Sequence, residues 1–332
     1  MGPILLAYCA AVQHSKSKWV QSYAGVRDAP VAVRIVLRHA AAMSLHRPRM
    51  NASIRVFASC TGMPIPMRYT SAEHDAFARD FNRDSLVILR DHIPRAKLAR
   101  WAEAFPPLLQ AQIAREKQGS SRGAARYYVT LPFQGLWADP EIYEDRDLLA
   151  VVERVAGPEP VLCQLASDTP LKGSDYQPWH ADTPALFPEW NNNDTPSFQL
   201  AVNFALCDVN DDNGPFETTY GTHRMNKQDA MAGLASGAIA QHRLPMRMGD
   251  VMIRDVRAVH RGTPNVTDQP RPMVVLGYSR RWYHRPEVQI RVPRSAWDAL
   301  SPTGRSLLRF NPVVPDEQLA LEQEESYRSF AY

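Results

Sequence analysis

The sequence predicts a mainly β fold with supporting helices (α+β), a sandwich or barrel, on three observations. Short strand-like runs recur from residue 126 onward, turn-rich loops separate them, and helical patterning is concentrated upstream, between residues 70 and 156. The 332 residues suffice for one sizeable core or two modest ones, and 45% hydrophobic with 22% charged residues places the chain among globular proteins.

Residues 1–66 read as a basic N-terminal extension. Residues 1–60 carry Lys16, Lys18, Arg27, Arg34, Arg38, Arg47, Arg49 and Arg55 against the single acid Asp28, so the net charge of +3 hides a mildly acidic body behind a basic leader. A family-specific extension, a transit-like leader and an upstream start codon remain open, since the opening LLAY is too short for a secretory core. A diffuse basic run without interleaved aromatics is no nucleic-acid footprint. No apolar run approaches 18 residues, which excludes a bilayer span on this reading and leaves the cytoplasm as the default address. Cys9, Cys60, Cys163 and Cys207 are scattered, without zinc spacing or disulfide density.

The body is expected over 67–311, followed by a tail over 312–332. Thr70 or Ser71 can cap a helix with Phe77 and Phe81 on its apolar side, and because Ser71 precedes His74 rather than an acid, no capping box is expected. Ser85 to Leu89 reads as a buried strand. Pro94 opens a helix carrying Leu98, Trp101 and Phe105, which Pro106-Pro107 must interrupt or end. After a surface loop over 117–125, Arg126 to Leu131 form a strand that presents alternate side chains to a cavity. An acidic stretch from Asp139 leads into a helix through Leu148, Val151, Val152 and Val155, stopped by Gly157-Pro158.

Strands follow at Val161 to Ser167 and Phe198 to Cys207. In the second, Gln199, Ala201 and Asn203 share one parity and Leu200, Val202 and Phe204 the other. Asp211 to Pro215 turn the chain, Gly249-Asp250 turn it into VMIRDV, and Pro272 opens PMVVLGYS. Val292 to Trp297 precede a short helix.

The chemistry concentrates at three positions. His180 and Asp182 are two residues apart, and His260 lies 80 residues downstream, followed by Asn265 and Arg271. Two imidazoles and one carboxylate make half a coordination shell for octahedral iron and leave positions open. His-x-Asp alone is a weak signal, and a lone histidine is more often hydrogen-bonded surface than ligand.

Three blocks in order, QPWHADTP at 177–184, DDNGPFETTYGTHR at 211–224 and MGDVMIRDVRAVHRGTPN at 248–265, together with Arg271, make residues 69–311 resemble the phytanoyl-CoA dioxygenase family of iron(II)- and 2-oxoglutarate-dependent oxygenases. The resemblance implies a double-stranded β-helix, or jelly roll. It implies His180, Asp182 and His260 as iron ligands, with 2-oxoglutarate and molecular oxygen as co-substrates. Arg271 would take the distal carboxylate of 2-oxoglutarate, for which a planar guanidinium is suited, with Gln177 as a further polar contact and Arg126 and Tyr128 as weaker candidates for that pocket.

The family's turn has leucine where this chain has Phe216, and serine where it has Thr222, so His223 is not promoted to a fourth ligand. In related halogenases a small residue vacates the carboxylate position for halide. With Asp182 present the resemblance implies hydroxylation of a small-molecule or specialised-metabolite substrate instead. Desaturation, epoxidation and ring formation need the same early chemistry and stay open, as do a non-enzymatic jelly-roll binding protein, another metal-dependent cupin enzyme and the oligomeric state. Trp179, Trp190, Trp282 and Tyr283 are candidates for an apolar substrate wall or for simple packing.

Overall fold

A computed structural model describes residues 67–116, 122–187, 195–285 and 289–318. The expectations for residues 1–66, for Trp190, for most of the 117–125 loop and for the end of the tail lie outside them. Among the described residues no helix is long and apolar enough to cross a membrane, and Cys163 and Cys207 are free thiols.

The body opens with α1 (Ser71–Asp84), capped by Thr70. The expectation of no capping box was wrong because it counted from Ser71. Counting from Thr70 places Glu73 at the third position, where its backbone N–H donates to Thr70 Oγ1 (3.3 Å) and its carboxylate accepts from Thr70 N–H (2.7 Å). Then come β1 (Leu86–Leu89), α2 (Arg95–Ala104) and α3 (Pro106–Glu116), the Pro-Pro pair ending one helix and starting the next. After β2 (Arg126–Thr130) and the short α4 (Pro140–Tyr143), α5 (Arg146–Ala156) buries Leu148, Val151, Val152 and Val155, and ends on Gly157 at φ +82°.

Eight segments then build the jelly roll. β3 (Val161–Pro170), three residues longer than expected, β4 (Gln199–Ala205), β7 (Val251–Asp255) and β9 (Met273–Ser279) lie in one six-stranded sheet of order β1-β7-β4-β9-β3-β2. β5 (Phe216–Thr218), β6 (His242–Leu244) and β8 (His260–Gly262) form a second sheet of order β6-β5-β8. Residues 177–182 add along the free edge of β8 through a bridge between His180 and His260. α6 (Lys227–Ala235) fills the connection from β5 to β6. The chain passes between the sheets in the order of a double-stranded β-helix. Downstream, β10 (Val292–Pro293), α7 (Arg294–Ala299), α8 (Pro302–Leu307) and β11 (Val313–Val314) close the body, with β11 paired on β10. The helix expected to follow Trp297 begins earlier, at Arg294.

Strand parity divides the large sheet into two faces. Leu200, Val202 and Phe204 of β4, Val251 and Ile253 of β7, and Val274, Leu276 and Tyr278 of β9 join the helices in the main apolar core. Gln199, Ala201, Asn203, Met252, Arg254, Met273 and Val275, at the alternate positions, line a cavity instead. Burial of one face fixes the register, and the register delivers Gln199, Asn203 and Arg254 to the other.

Candidate metal centre

The bridge that adds residues 177–182 to β8 also assembles the site. His180 and His260 exchange both backbone hydrogen bonds (3.0 and 2.9 Å), Gln177 N–H donates to Gly262 O (3.0 Å), and Asp182 N–H donates to Val256 O (2.9 Å). A histidine pair opposed across an antiparallel bridge puts both rings on one side, and their centroids are 4.5 Å apart. Donor atoms of His180, Asp182 and His260 lie within 4.8 Å of one another, a cluster among the described residues that could hold a metal ion. Asp182 Oδ1 is 3.9 Å from His180 Nε2 and 3.6 Å from His260 Nε2.

Each imidazole is oriented from behind. His180 Nδ1 lies 2.8 Å from Pro178 O and His260 Nδ1 2.9 Å from Ala258 O. A carbonyl can only accept, so each Nδ1 carries the proton and each Nε2 turns a lone pair toward the shared point. Burial holds the His260 imidazole well below its ordinary pKa. Burial alone would raise the Asp182 carboxyl, but the charge of the Arg254 guanidinium overcomes it and keeps Asp182 ionised. Two neutral imidazoles and one carboxylate are the protonation states a divalent cation requires, so the residues present fit iron(II).

The cavity beside these donors has a volume of about 90 Å³, several times the ~10–15 Å³ that admits one water. Arg271 lines it, 3% exposed. Its backbone N–H donates to Pro170 O (3.2 Å), while its buried Nε has no hydrogen-bond partner. Burial lowers the Arg271 pKa to about 10 against the pull of Asp168, and the group stays cationic. Asn265 sets this position: its Nδ2 donates to Pro170 O (3.1 Å) and Gln269 O (2.8 Å), and its Oδ1 accepts from Thr267 N–H (2.9 Å), so the loop entering β9 is tied to the end of β3.

Gln177 and Tyr128 also line the cavity. Gln177 Oε1 accepts from Gly262 N–H (2.9 Å), and the Tyr128 hydroxyl accepts from Gln164 Nε2. Arg126 is not among the lining side chains. Its Nη1 pairs with Asp168 Oδ2 (2.9 Å) and its Nη2 donates to Thr263 O (2.7 Å), packing it behind β8. A Cβ on Gly262 would come 2.6 Å from Arg126 Nη1 and 2.7 Å from Gln177 Oε1, so only glycine admits both neighbours.

Trp179 packs beside α6 and under Arg261, Tyr283 packs on Phe198, and Trp282 is exposed. None of the three lines the cavity. His223 is buried against Phe81, apart from the cluster.

The sequence reading missed Arg254, whose Nη2 donates to Asp182 Oδ2 (2.8 Å). The signal was a charged residue inside the apolar run VMIRDV, at a parity shared with Met252. It also missed Arg122, Asp168 and Arg285 on the cavity wall.

A family model described as phytanoyl-CoA dioxygenase matches residues 81–273, more than half of the chain and a span that includes His180, Asp182, His260, Gln177, Arg271, Arg126 and Tyr128. Among solved structures, AviO1 from Streptomyces viridochromogenes Tue57 is 21% identical, with a TM-score of 0.50 over 64% of this chain and 97% of that one. The epimerase SnoN in complex with Fe3+, alpha ketoglutarate and nogalamycin RO is 20% identical, with a TM-score of 0.49 over 64% and 85%. HygX from Streptomyces hygroscopicus with nickel, 2-oxoglutarate and hygromycin B bound is 15% identical, with a TM-score of 0.48 over 74% and 99%.

Proposed function

The chain belongs to the phytanoyl-CoA dioxygenase family and is an iron(II)- and 2-oxoglutarate-dependent dioxygenase; on that premise we propose that His180, Asp182 and His260 hold the iron and that the product is a hydroxylated small molecule. The observation that carries this reading is the convergence of three oriented donors on one point beside a buried arginine whose Nε no protein group satisfies. A fold does not bury a guanidinium at such cost without a partner, and an ionised carboxylate supplies one. Arg271 therefore receives the distal carboxylate of 2-oxoglutarate.

Bound there, iron and 2-oxoglutarate supply the oxidative chemistry, one atom of O2 leaving in succinate and the other in the product. The protein's part is geometric. The Nδ1–H to carbonyl bonds hold the Nε2 lone pairs in place, Arg271 sets the direction of the co-substrate, and Gln177 with Gly262 shapes the wall it lies against. Asp182 would fill the coordination position that halide would need, which favours hydroxylation over halogenation. Gln164, Gln199, Asn203, Arg122 and Arg285 add polar groups to a wall that Ala201, Phe216, Met252, Val256, Met273 and Val275 make largely apolar, which suits a small metabolite with an apolar body and a few hydrogen-bonding groups.

The test mixes purified protein, iron(II), 2-oxoglutarate and a metabolite library without oxygen, then admits oxygen and follows succinate and product mass. Gain of one oxygen atom coupled to succinate is expected, and loss of two hydrogens would replace hydroxylation by desaturation. Succinate release that is unchanged in His180→Ala and His260→Ala would overturn the ligand assignment.

A further inference from the structure

We propose that Arg254 is a positioning residue that keeps Asp182 a one-oxygen ligand, presenting Oδ1 to the metal by occupying Oδ2. The inference rests on the ligand set of the preceding section. Asp182 Oδ1 is the oxygen that lies 3.6 and 3.9 Å from the two Nε2 atoms, and Oδ2 is the one that accepts from Arg254 Nη2 at 2.8 Å. A carboxylate with both oxygens free can chelate. It would then fill four positions of an octahedron together with two imidazoles, leaving two for a chelating co-substrate and none for oxygen. A carboxylate restricted to one oxygen leaves three.

Arg254 is placed to impose that restriction. It is 8% exposed, its Nε donates to Asn203 Oδ1 (3.1 Å) on the neighbouring strand, and its guanidinium lies 5.0 Å over the Phe216 ring. Phe216 in turn packs against His260, with centroids 4.9 Å apart. The arginine is thus fixed by β4 below and by β5 in front, and a planar fork held on both sides cannot follow a carboxylate that rotates. The positive charge also offsets the negative charge of Asp182 when the metal is absent, so the site is formed before metal arrives.

The test uses the full chain stripped of metal, with Arg254→Met and Arg254→Gln as variants and circular dichroism as the check on folding. Iron(II) is titrated without oxygen or 2-oxoglutarate, and cobalt(II) is titrated for its visible absorption, whose band positions report the donor set. Removal of a group that orients a metal ligand weakens metal binding about 10- to 100-fold, and that loss is expected in both variants. The cobalt spectrum is expected to keep its six-coordinate intensity and to move in band position, as the second oxygen of Asp182 replaces a bound water. Either folded variant that binds iron(II) within about twofold of the parent, with an unchanged cobalt spectrum, overturns the proposal. A parent chain that binds neither metal overturns the ligand set itself, and this inference falls with it.

Discussion

His180 and His260 are cross-strand partners: they exchange both backbone hydrogen bonds, at 3.0 and 2.9 Å, and their rings sit 4.5 Å apart. The two histidines are therefore held by backbone pairing rather than by their side chains, and the pocket is expected to survive removal of one imidazole. A divalent cation that binds only the folded chain stabilises it by mass action, about 2.7 kcal/mol at a concentration 100 times the dissociation constant. Manganese(II) is expected to raise the melting temperature of the parent and to leave that of His260→Ala unchanged. Equal metal-induced shifts in the two proteins would reject His260 as a ligand.

Gly262→Ala places a methyl group 2.6 Å from Arg126 Nη1 and 2.7 Å from Gln177 Oε1. Neither neighbour can yield cheaply, since Arg126 is fixed by Asp168 and Thr263 O and Gln177 by the Gly262 N–H itself. Overpacking of this kind costs about 1–3 kcal/mol. The variant is expected to melt lower and to require more 2-oxoglutarate for half-maximal turnover. Parental values for both would show that the wall relaxes.

Arg271→Met removes the cation assigned to the distal carboxylate while leaving the metal donors in place. A charge-assisted hydrogen bond is worth about 1.5–3 kcal/mol, so 2-oxoglutarate affinity should fall by at least tenfold. Arg271→Lys should recover only part of it, because an ammonium cannot bond a carboxylate through a fork. Metal affinity without co-substrate should not change. Isothermal titration separates the two ligands, and parental 2-oxoglutarate binding in Arg271→Met would remove Arg271 from the pocket.

Much of this site was legible in the sequence because its parts are local. The parity of Gln199, Ala201 and Asn203 against Leu200, Val202 and Phe204 announced a two-faced strand, and β4 has one face in the core and one on the cavity. The spacing of His180 and Asp182 put two donors on one short segment. What could not be read is pairing between distant strands. Nothing local to VMIRDV says that Arg254 meets Asp182, 72 residues away. Similarly, nothing near Arg126 says that Asp168 and Thr263 hold it out of the cavity. Thr70 was misjudged for a smaller reason, a count begun one residue late.

His223 gives the fold a pH dependence independent of the metal. It is 2% exposed, its Nδ1 has no hydrogen-bond partner, and burial lowers its pKa to about 4 against the opposing charge of Asp255, with Arg257 and Arg224 adding to the depression. The unfolded chain binds this proton near pH 6.5 and the folded chain only near 4, so between those values the unfolded state holds more protons and stability rises with pH. The contribution is fully present above pH 6.5, is lost as pH falls toward 4, and is at most about 3 kcal/mol. Asp255, which Arg257 holds ionised against burial, loses its own contribution only as pH falls below the ordinary carboxylate value toward its depressed folded value, beneath that range. Chemical denaturation of the metal-free chain between pH 4 and 8 is expected to give a steeper slope for the parent than for His223→Leu above pH 5. Identical slopes would mean that the folded protein takes up the proton at His223 as easily as the unfolded one.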